Sequence, residues 1–414
     1  MILERYLKNN NSNIKQMCKV SGIPETTLRD LNKKTFEKWK IKYIDAIAIV
    51  VGKSRKVVLD ELEDLNKSFK KYLLFDKYNI ENRRYLGNKS KILGLISELI
   101  DDNTKGTSFF DVFAGTGVVS KKMSIKYDKL IINDFLYSNN AIYKAFFENT
   151  TFNSQKLYKF KESVNLINPN NIENNYFSKN FGEKFFSNND AKIIGEIREQ
   201  IEKELTLNPR EYYILIASLI YSCDKIANTV GHYDAYRKTN TINDRFKFEL
   251  INIENMKSKD VVIYREDANN LVRKVKADIA FIDPPYNSRQ YSRFYHLLEN
   301  LTKWKKPELS GVAMKPPVEN MSEYSKVSAP KIFDDLIQNL NAKYIVVTYN
   351  NTYKPKSSSS KNKITHEQIL ESLEKVGKTK IFEIPFQFFN AGKSDLKDHK
   401  EFVFITEVDK KIWH

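Results

Sequence analysis

One stretch limits what this chain can fold into more than any other. The apolar run Ala277-Asp278-Ile279-Ala280-Phe281-Ile282 has the length of a buried strand and ends abruptly in Asp283-Pro284-Pro285-Tyr286. Proline has no N–H to give to a ladder and fixes φ, so the strand must stop there. Beyond the loop, Phe294, Leu297, Leu298, Leu301 and Trp304 recur at helical spacing. Asp283 therefore belongs at the carboxyl end of a strand, where open α/β sheets place their ligands. Two prolines leave carbonyls that no local N–H easily claims, beside a carboxylate and an aromatic face. That set suits an amino group attached to a flat ring.

A second strand-to-turn junction lies upstream. Ser108–Phe113 reads as a strand and runs into Ala114-Gly115-Thr116-Gly117. Glycines are needed where a strand turns tightly into a helix and the backbone must approach a ligand. Ile131-Ile132-Asn133-Asp134 then ends a further strand in an acid, at the separation from the glycines at which doubly wound folds place a ribose-binding carboxylate. The third glycine of the dinucleotide fingerprint is missing, as is a Walker lysine-serine pair, which disfavours NAD and ATP. A ribose-bearing cofactor without pyrophosphate fits better, and S-adenosylmethionine is one.

Ahead of the glycine turn, Arg83-Arg84-Tyr85-Leu86-Gly87-Asn88-Lys89-Ser90-Lys91 precedes an amphipathic helix expected to turn Ile92, Leu95, Ile96 and Leu99 inward. The formal net charge of +16 favours a polyanionic partner, though an abundance of lysine alone has other origins. Two cysteines, Cys18 and Cys223, make neither a zinc cluster nor a disulfide framework, and Cys223 reads as core. No stretch has the length and apolarity of a membrane span or signal peptide, so the expectation is a soluble cytoplasmic protein.

Residues 1–78 form a separate basic piece. Asn13–Val20 reads as a short helix, Ser21-Gly22-Ile23 as a turn, and Pro24–Lys34 as a second helix with Leu28 and Leu31 inward. Helix, glycine turn, helix is the DNA-binding helix-turn-helix pattern. This part resembles Cro/repressor-like domains, which would make the outward Thr26, Thr27 and Arg29 the readers of DNA. A helical bundle serving dimerisation or docking stands beside that reading. Residues 55–75 look like a closing helix with a linker.

Residues 151–257 are rich in Asn, Lys, Tyr and Phe, with a loop expected over 165–180 and an apolar helix over Glu211–Ala227. After that helix come Asn228 to Lys238, where interleaved aromatics and bases suit stacking on nucleobases and neutralising phosphates. His232, Arg237 and Lys238 are the DNA-contact candidates there; a loop merely packing its tyrosines is the alternative. In the C-terminal part, a helix over Lys331–Leu340, a strand over Lys343–Tyr349, a helix over Thr365–Val376 and strands over Lys380–Phe386 and Glu401–Glu407 support a doubly wound sheet. Lys354–Lys361 reads as a flexible basic loop and the segment around Gly392 as a polar connection.

Taken in order, Arg84-Tyr85-Leu86-Gly87-Asn88-Lys89, Asp111-Val112-Phe113-Ala114-Gly115-Thr116-Gly117, Asp134, Asp267 and Asp283-Pro284-Pro285-Tyr286 resemble the α-class, Dam-like DNA adenine methyltransferases. The run Tyr286-Asn287-Ser288-Arg289-Gln290-Tyr291 followed by Tyr295-His296-Leu297-Leu298-Glu299-Asn300 is similar to the restriction-system branch. The resemblance covers residues 80–414. It implies an α/β, Rossmann-like S-adenosylmethionine methyltransferase fold, a doubly wound mixed sheet over 79–150 and 258–414, with a target-recognition domain inserted at 151–257. It implies that Tyr85, Lys89, Asp134 and Asp283 contact the cofactor site, with Asp111, Phe113, Gly115 and Gly117 around them and Asp267 at the cofactor's adenine. Asp283, Pro284, Pro285 and Tyr286 would act on an adenine flipped from duplex DNA, with Arg289 among the DNA contacts. No metal is called for. Implied partners are double-stranded DNA and a cognate restriction endonuclease, with a monomer or homodimer as the assembly. Tyr85 stands where some members carry tryptophan. Two rivals share these motifs: an RNA adenine methyltransferase, and a regulator with a degenerate methyltransferase domain.

Overall fold

The computed structural model of the chain describes residues 2–33, 36–73, 77–238, 241–253, 260–350, 362–385 and 400–409. Two compact units emerge, Met1–Asp76 and Lys77–His414. The expected basic loop Lys354–Lys361 and the connection around Gly392 lie outside the described residues.

The first unit is helical, with α-helices at Ile2–Asn9, Ile14–Ser21, Glu25–Lys33, Ile41–Val51 and Arg55–Leu73. Asn13 opens the second of these, its side chain accepting the Gln16 N–H at 2.9 Å. Gly22 closes it at φ +68°, a conformation that glycine adopts without strain, and donates its N–H to the Cys18 carbonyl. Ile14, Met17, Leu28 and Leu31 are buried together with Leu3, Ile47, Val58 and Leu62. Glu25–Lys33 carries Thr26 and Arg29 on its exposed side and Thr27 half-buried.

The second unit is built on a seven-stranded sheet. Its strands are β1 (Ser108–Asp111), β2 (Lys129–Asn133), β3 (Asp260–Tyr264), β4 (Lys276–Ile282), β5 (Asn341–Asn350), β6 (Gly377–Pro385) and β7 (Lys400–Val408). They lie in the order β3-β2-β1-β4-β5-β7-β6. The first five are mutually parallel, and β7 runs antiparallel to both β5 and β6. A parallel sheet needs helices on both faces, and its central strands therefore read as continuous apolar runs. Phe109, Phe110, Ile279, Ala280, Phe281 and Ile282 are all buried. One face packs Phe110, Ile131, Ala280, Ile282 and Val347 against Leu271, Phe333, Leu336, Ile337 and Leu373. The architecture is mixed α/β and consistent with a methyltransferase fold.

Asp278 is the one acid inside the β4 run, and the sheet explains it. Its Oδ2 accepts the N–H groups of Thr107 at 2.9 Å and Ser108 at 3.1 Å, and Lys343 lies 2.6 Å from Oδ1. Burial opposes ionisation, but Lys343 and these donors prevail and hold the carboxyl well below the usual range. Asp278 thereby fixes where β1 begins beside β4.

Three expectations need correction. The helix after Lys91 spans Leu93–Asn103 and buries Ile96 and Ile100, while Leu95 is exposed, because the face turned inward is the one packed on the helix Val118–Met123 and on β7. The Asn-rich 165–180 segment is not all loop. Asn175 accepts the Ser178 N–H and opens the helix Tyr176–Phe181, so asparagine acts there as a cap. The helix following the Asp283 loop is broken at Tyr295 into Tyr291–Phe294 and His296–Lys303. The apolar helix read over Glu211–Ala227 is found at Pro209–Ile226, with Asn208 and Glu211 forming a reciprocal cap. Among the described residues no helix is long and apolar enough to cross a membrane.

Candidate active site

The carboxyl ends of β1, β2, β3 and β4 open onto one cavity of about 240 Å³. Neighbours β1 and β4 feed chain to opposite sides there, which makes a crevice at the switch point. Asp283, Pro284, Pro285 and Tyr286 line it from β4. Asp111, Phe113 and Gly115 line it from β1, Asp134 from β2, Asp267 from the end of β3, and Tyr85 and Lys89 from the preceding turn. Gly117 lies at the start of the helix Val118–Met123, behind this lining. Eleven of the twelve candidate catalytic and cofactor residues thus surround one space, though they span some two hundred positions of sequence.

Each wall has a local cause. Gly115 and Gly117 adopt φ +54° and +79°, left-handed values that let the chain leave β1 and turn straight into a helix. A Cβ at Gly117 would come within 2.9 Å of Ile80 Cδ1 and 3.0 Å of Tyr143 Cε1. The Tyr143 hydroxyl donates to the Gly115 carbonyl at 2.5 Å. Asp134 takes the Gly115 N–H at 3.0 Å and the Leu136 N–H at 2.8 Å, clasping the glycine turn to the β2 end. Asp267 caps the helix Ala268–Val272 through the Asn270 N–H. Tyr85 stacks on Tyr295 with centroids 4.6 Å apart and planes 9° apart, and Phe113 meets Tyr324 edge-on.

The Asp283 loop is braced before any ligand arrives. The Tyr286 hydroxyl donates to the Thr348 carbonyl, its ring stands perpendicular to Tyr349, and its carbonyl accepts the Lys363 N–H at 2.6 Å. Lys89 lies 3.2 Å from Asp283 Oδ1 and 2.7 Å from Glu401 Oε1.

The electrostatics favour a cation. In a chain of net charge +16, the cavity is lined by Asp111, Asp134, Glu266, Asp267 and Asp283 against Lys89 and Arg289. Burial pushes Asp111 up to about 7, with Ser120 pulling the other way and Asp283 adding to the rise. Burial likewise takes Asp134 to about 6, against the Leu136 and Gly115 N–H groups. Asp283 is raised too, by burial, with Lys89 opposing and Glu401 reinforcing. Asp111 Oδ2 accepts from Ser120 at 2.6 Å, while buried Oδ1 has no partner among the described residues. An orphaned carboxylate oxygen, a glycine turn and an acidic aromatic cavity fit the sulfonium and ammonium charges of S-adenosylmethionine, and would repel a triphosphate.

The DNA-contact candidates of this unit scatter. Arg289 lines the rim and packs over Phe294, and His232 stacks on the same ring at 4.6 Å. The Tyr233 N–H donates to the Phe294 carbonyl at 2.7 Å, so the arm closed by the Thr229–Tyr236 bridge is tied to the helix that follows Asp283. Arg237 and Lys238 are exposed beyond it. Sequence reasoning missed three supports. Asn133 bonds to the Val112 and Glu266 carbonyls and accepts the Glu266 N–H, joining three strand ends. Glu299 accepts the Tyr137 and Ser138 N–H groups at the start of the helix Tyr137–Phe147. Glu401 holds Lys89 from behind. A polar residue ending an apolar strand was a visible signal for Asn133; Glu401 gave none.

A switch-point crevice with these walls, on a seven-stranded mixed sheet, is consistent with a methyltransferase fold. Residues 85–355 match the model of the D12 class N6 adenine-specific DNA methyltransferases, and the chain belongs to that family. It is 34% identical over 348 residues to the modification methylase StsI of Streptococcus sanguinis, covering 79% of this chain and 52% of that protein. Similarity to the type II methyltransferase M.FokI of Planomicrobium okeanokoites is 30% over 351 residues, 79% of this chain and 53% of the relative. M.NlaIII of Neisseria lactamica matches at 28% over 346 residues, 78% of this chain and 98% of its own length. The chain therefore spans about half the length of the first two and nearly all of the third.

Proposed function

We propose that the protein transfers a methyl group from S-adenosylmethionine to the N6 amine of adenine in duplex DNA, as the modification half of a restriction-modification system. The observation that carries this is the convergence of Asp283, Pro284 and Tyr286 with the glycine turn on one acidic cavity. The cofactor supplies an electrophilic methyl group on a sulfonium. Adenine's amine is a weak nucleophile, because its lone pair is delocalised into the ring. Asp283 and the Pro284 carbonyl accept its two N–H bonds and draw the nitrogen towards tetrahedral geometry. The same acceptors stabilise the positive charge that nitrogen gains, an electrostatic preorganisation. Tyr286, its hydroxyl tied to Thr348, presents a ring for the base to stack on once flipped from the helix.

Under this reading Tyr85, Lys89, Asp111, Phe113, Gly115, Gly117, Asp134 and Asp267 hold the cofactor. Residues 151–257 are the target-recognition region, with His232, Arg237, Lys238 and Arg289 at DNA. Residues 1–78 form a helix-turn-helix domain presenting Thr26, Thr27 and Arg29. Arg29 is paired with Glu25 at 2.7 Å and would exchange that partner for phosphate or base. A cytoplasmic setting and a cognate endonuclease belong to the same proposal. The test is transfer of labelled methyl from S-adenosylmethionine to duplex DNA and to RNA in parallel. Label in N6-methyladenine of duplex DNA is expected; label confined to RNA, or none, refutes it.

A further inference from the structure

Glu401 does not line the cavity, and it lies outside the residues that carry the family match. It stands on β7, the strand antiparallel to β5, and is 4% exposed. Its Oε1 is 2.7 Å from Lys89 Nζ, closer than Asp283 Oδ1 at 3.2 Å. Lys89 is itself 8% exposed. A buried ammonium thus stands between two carboxylates, one facing the cavity and one behind it. Such a cluster is costly to bury unless each charge is paired, and here the ammonium pairs with both carboxylates.

The geometry suggests a role for Glu401. Were Lys89 paired with Asp283 alone, it would neutralise the carboxylate that must accept an amine N–H and stabilise a growing positive charge. A second, nearer anion divides the ammonium's attention. Two carboxylates and one ammonium carry a formal sum of one negative charge, which the substrate nitrogen balances as it becomes cationic. We propose that Glu401 is a positioning residue that engages the Lys89 ammonium from behind and so keeps the Asp283 carboxylate available to the substrate amine. The inference rests on the methyltransferase reading above. Among the described residues, the other titratable groups that interact with Asp283 include Asp111 from β1, Tyr286 from its own loop and Tyr291 from the following helix, and none of these stands as an anion on the far side of Lys89.

The test is Glu401→Gln, which keeps an acceptor for Lys89 and removes the charge. In the cofactor-free protein, carbon-13 titration of the Asp283 carboxyl, assigned by its loss in Asp283→Asn, is expected to move down by about half a unit to one unit. The acid limb of kcat for duplex DNA should move down with it. Plateau kcat should fall roughly tenfold with KM for DNA and cofactor nearly unchanged. A folded variant whose Asp283 titration and acid limb stay at the wild-type positions overturns the proposal, whatever its kcat. If the Gln variant does not fold, Glu401→Met removes the charge without burying an amide and is read the same way. Loss of fold in both makes Glu401 a structural anchor only and also overturns it. A wild type that methylates no DNA would instead sink the underlying reading, while the Asp283 titration still decides this one.

Discussion

At the scale of single residues, what matters is how little freedom Asp283 retains. Lys89 holds one side of it, and the Tyr286 to Thr348 bond fixes the loop beyond. On the proposed mechanism, replacing Asp283 with Ala removes an acceptor whose interaction strengthens as charge develops on the amine. Methyl transfer to duplex DNA should then fall by at least about 10²–10³ in kcat, with DNA affinity retained in a gel-shift or anisotropy titration. Normal turnover in that variant contradicts the mechanism. Asp111 and Asp134 give a second prediction. With the cavity free of ligand their carboxyls titrate near 7 and 6, raised mainly by burial. A bound cation stabilises the ionised form, so binding lowers both and releases protons. Affinity for S-adenosylmethionine should therefore rise with pH across roughly pH 5 to 8 and level off above it, where both acids are already ionised. Calorimetry in buffers of different ionisation heat would detect the released proton. A flat affinity over that range excludes the coupling.

At the scale of elements, the strands and the acids at their ends were legible in the sequence, because a parallel sheet writes itself as apolar runs that stop at glycine, proline or acid. Asp134 and Asp283 each end such a run, while Asp111, inside the stretch read as a strand over Ser108–Phe113, is where the observed β1 ends. Asp278 sits inside one and needed the Thr107 and Ser108 partners across the strand pair to make sense. Glu401 was hidden for a different reason. It opens the antiparallel strand β7, an apolar run with an acid near each end, Glu401 and Glu407, and nothing in the sequence separates the two until the fold sets Glu401 behind Lys89. The helix after Asp283 kept its apolar spacing across a break, since Tyr295 still buries its ring against Tyr85. The glycine turn yields a prediction at this scale. Gly117→Ala places a Cβ at φ +79° against Ile80 and Tyr143, so strain and overlap act together. A cost of about 2–3 kcal/mol in urea unfolding is expected, together with weaker cofactor binding. An unchanged midpoint would mean that the turn relaxes into the crevice.

At the scale of the whole molecule, the question is what the unit Met1–Asp76 adds to Lys77–His414. The larger unit holds the entire cavity and the complete sheet, and each unit buries its own apolar core. Deleting residues 1–76 should therefore leave a folded protein and, on the proposed function, one that still methylates duplex DNA. Their loss also removes an excess of lysine and arginine over acid, and with it any phosphate contacts they make. Each phosphate contact contributes to the slope of log affinity against log salt, by roughly 0.9 for duplex DNA. If the Gly22 turn and the helix Glu25–Lys33 engage DNA, the truncated protein binds more weakly at low salt and its slope is shallower by one or more contacts. The sequence preference of methylation, read by sequencing modified bases, stays the same if this unit supplies affinity alone. It relaxes if Thr26, Thr27 or Arg29 reads a base. Equal affinity and an equal salt slope in the two proteins would remove DNA from the N-terminal unit altogether and leave the docking role that its helical bundle also allows.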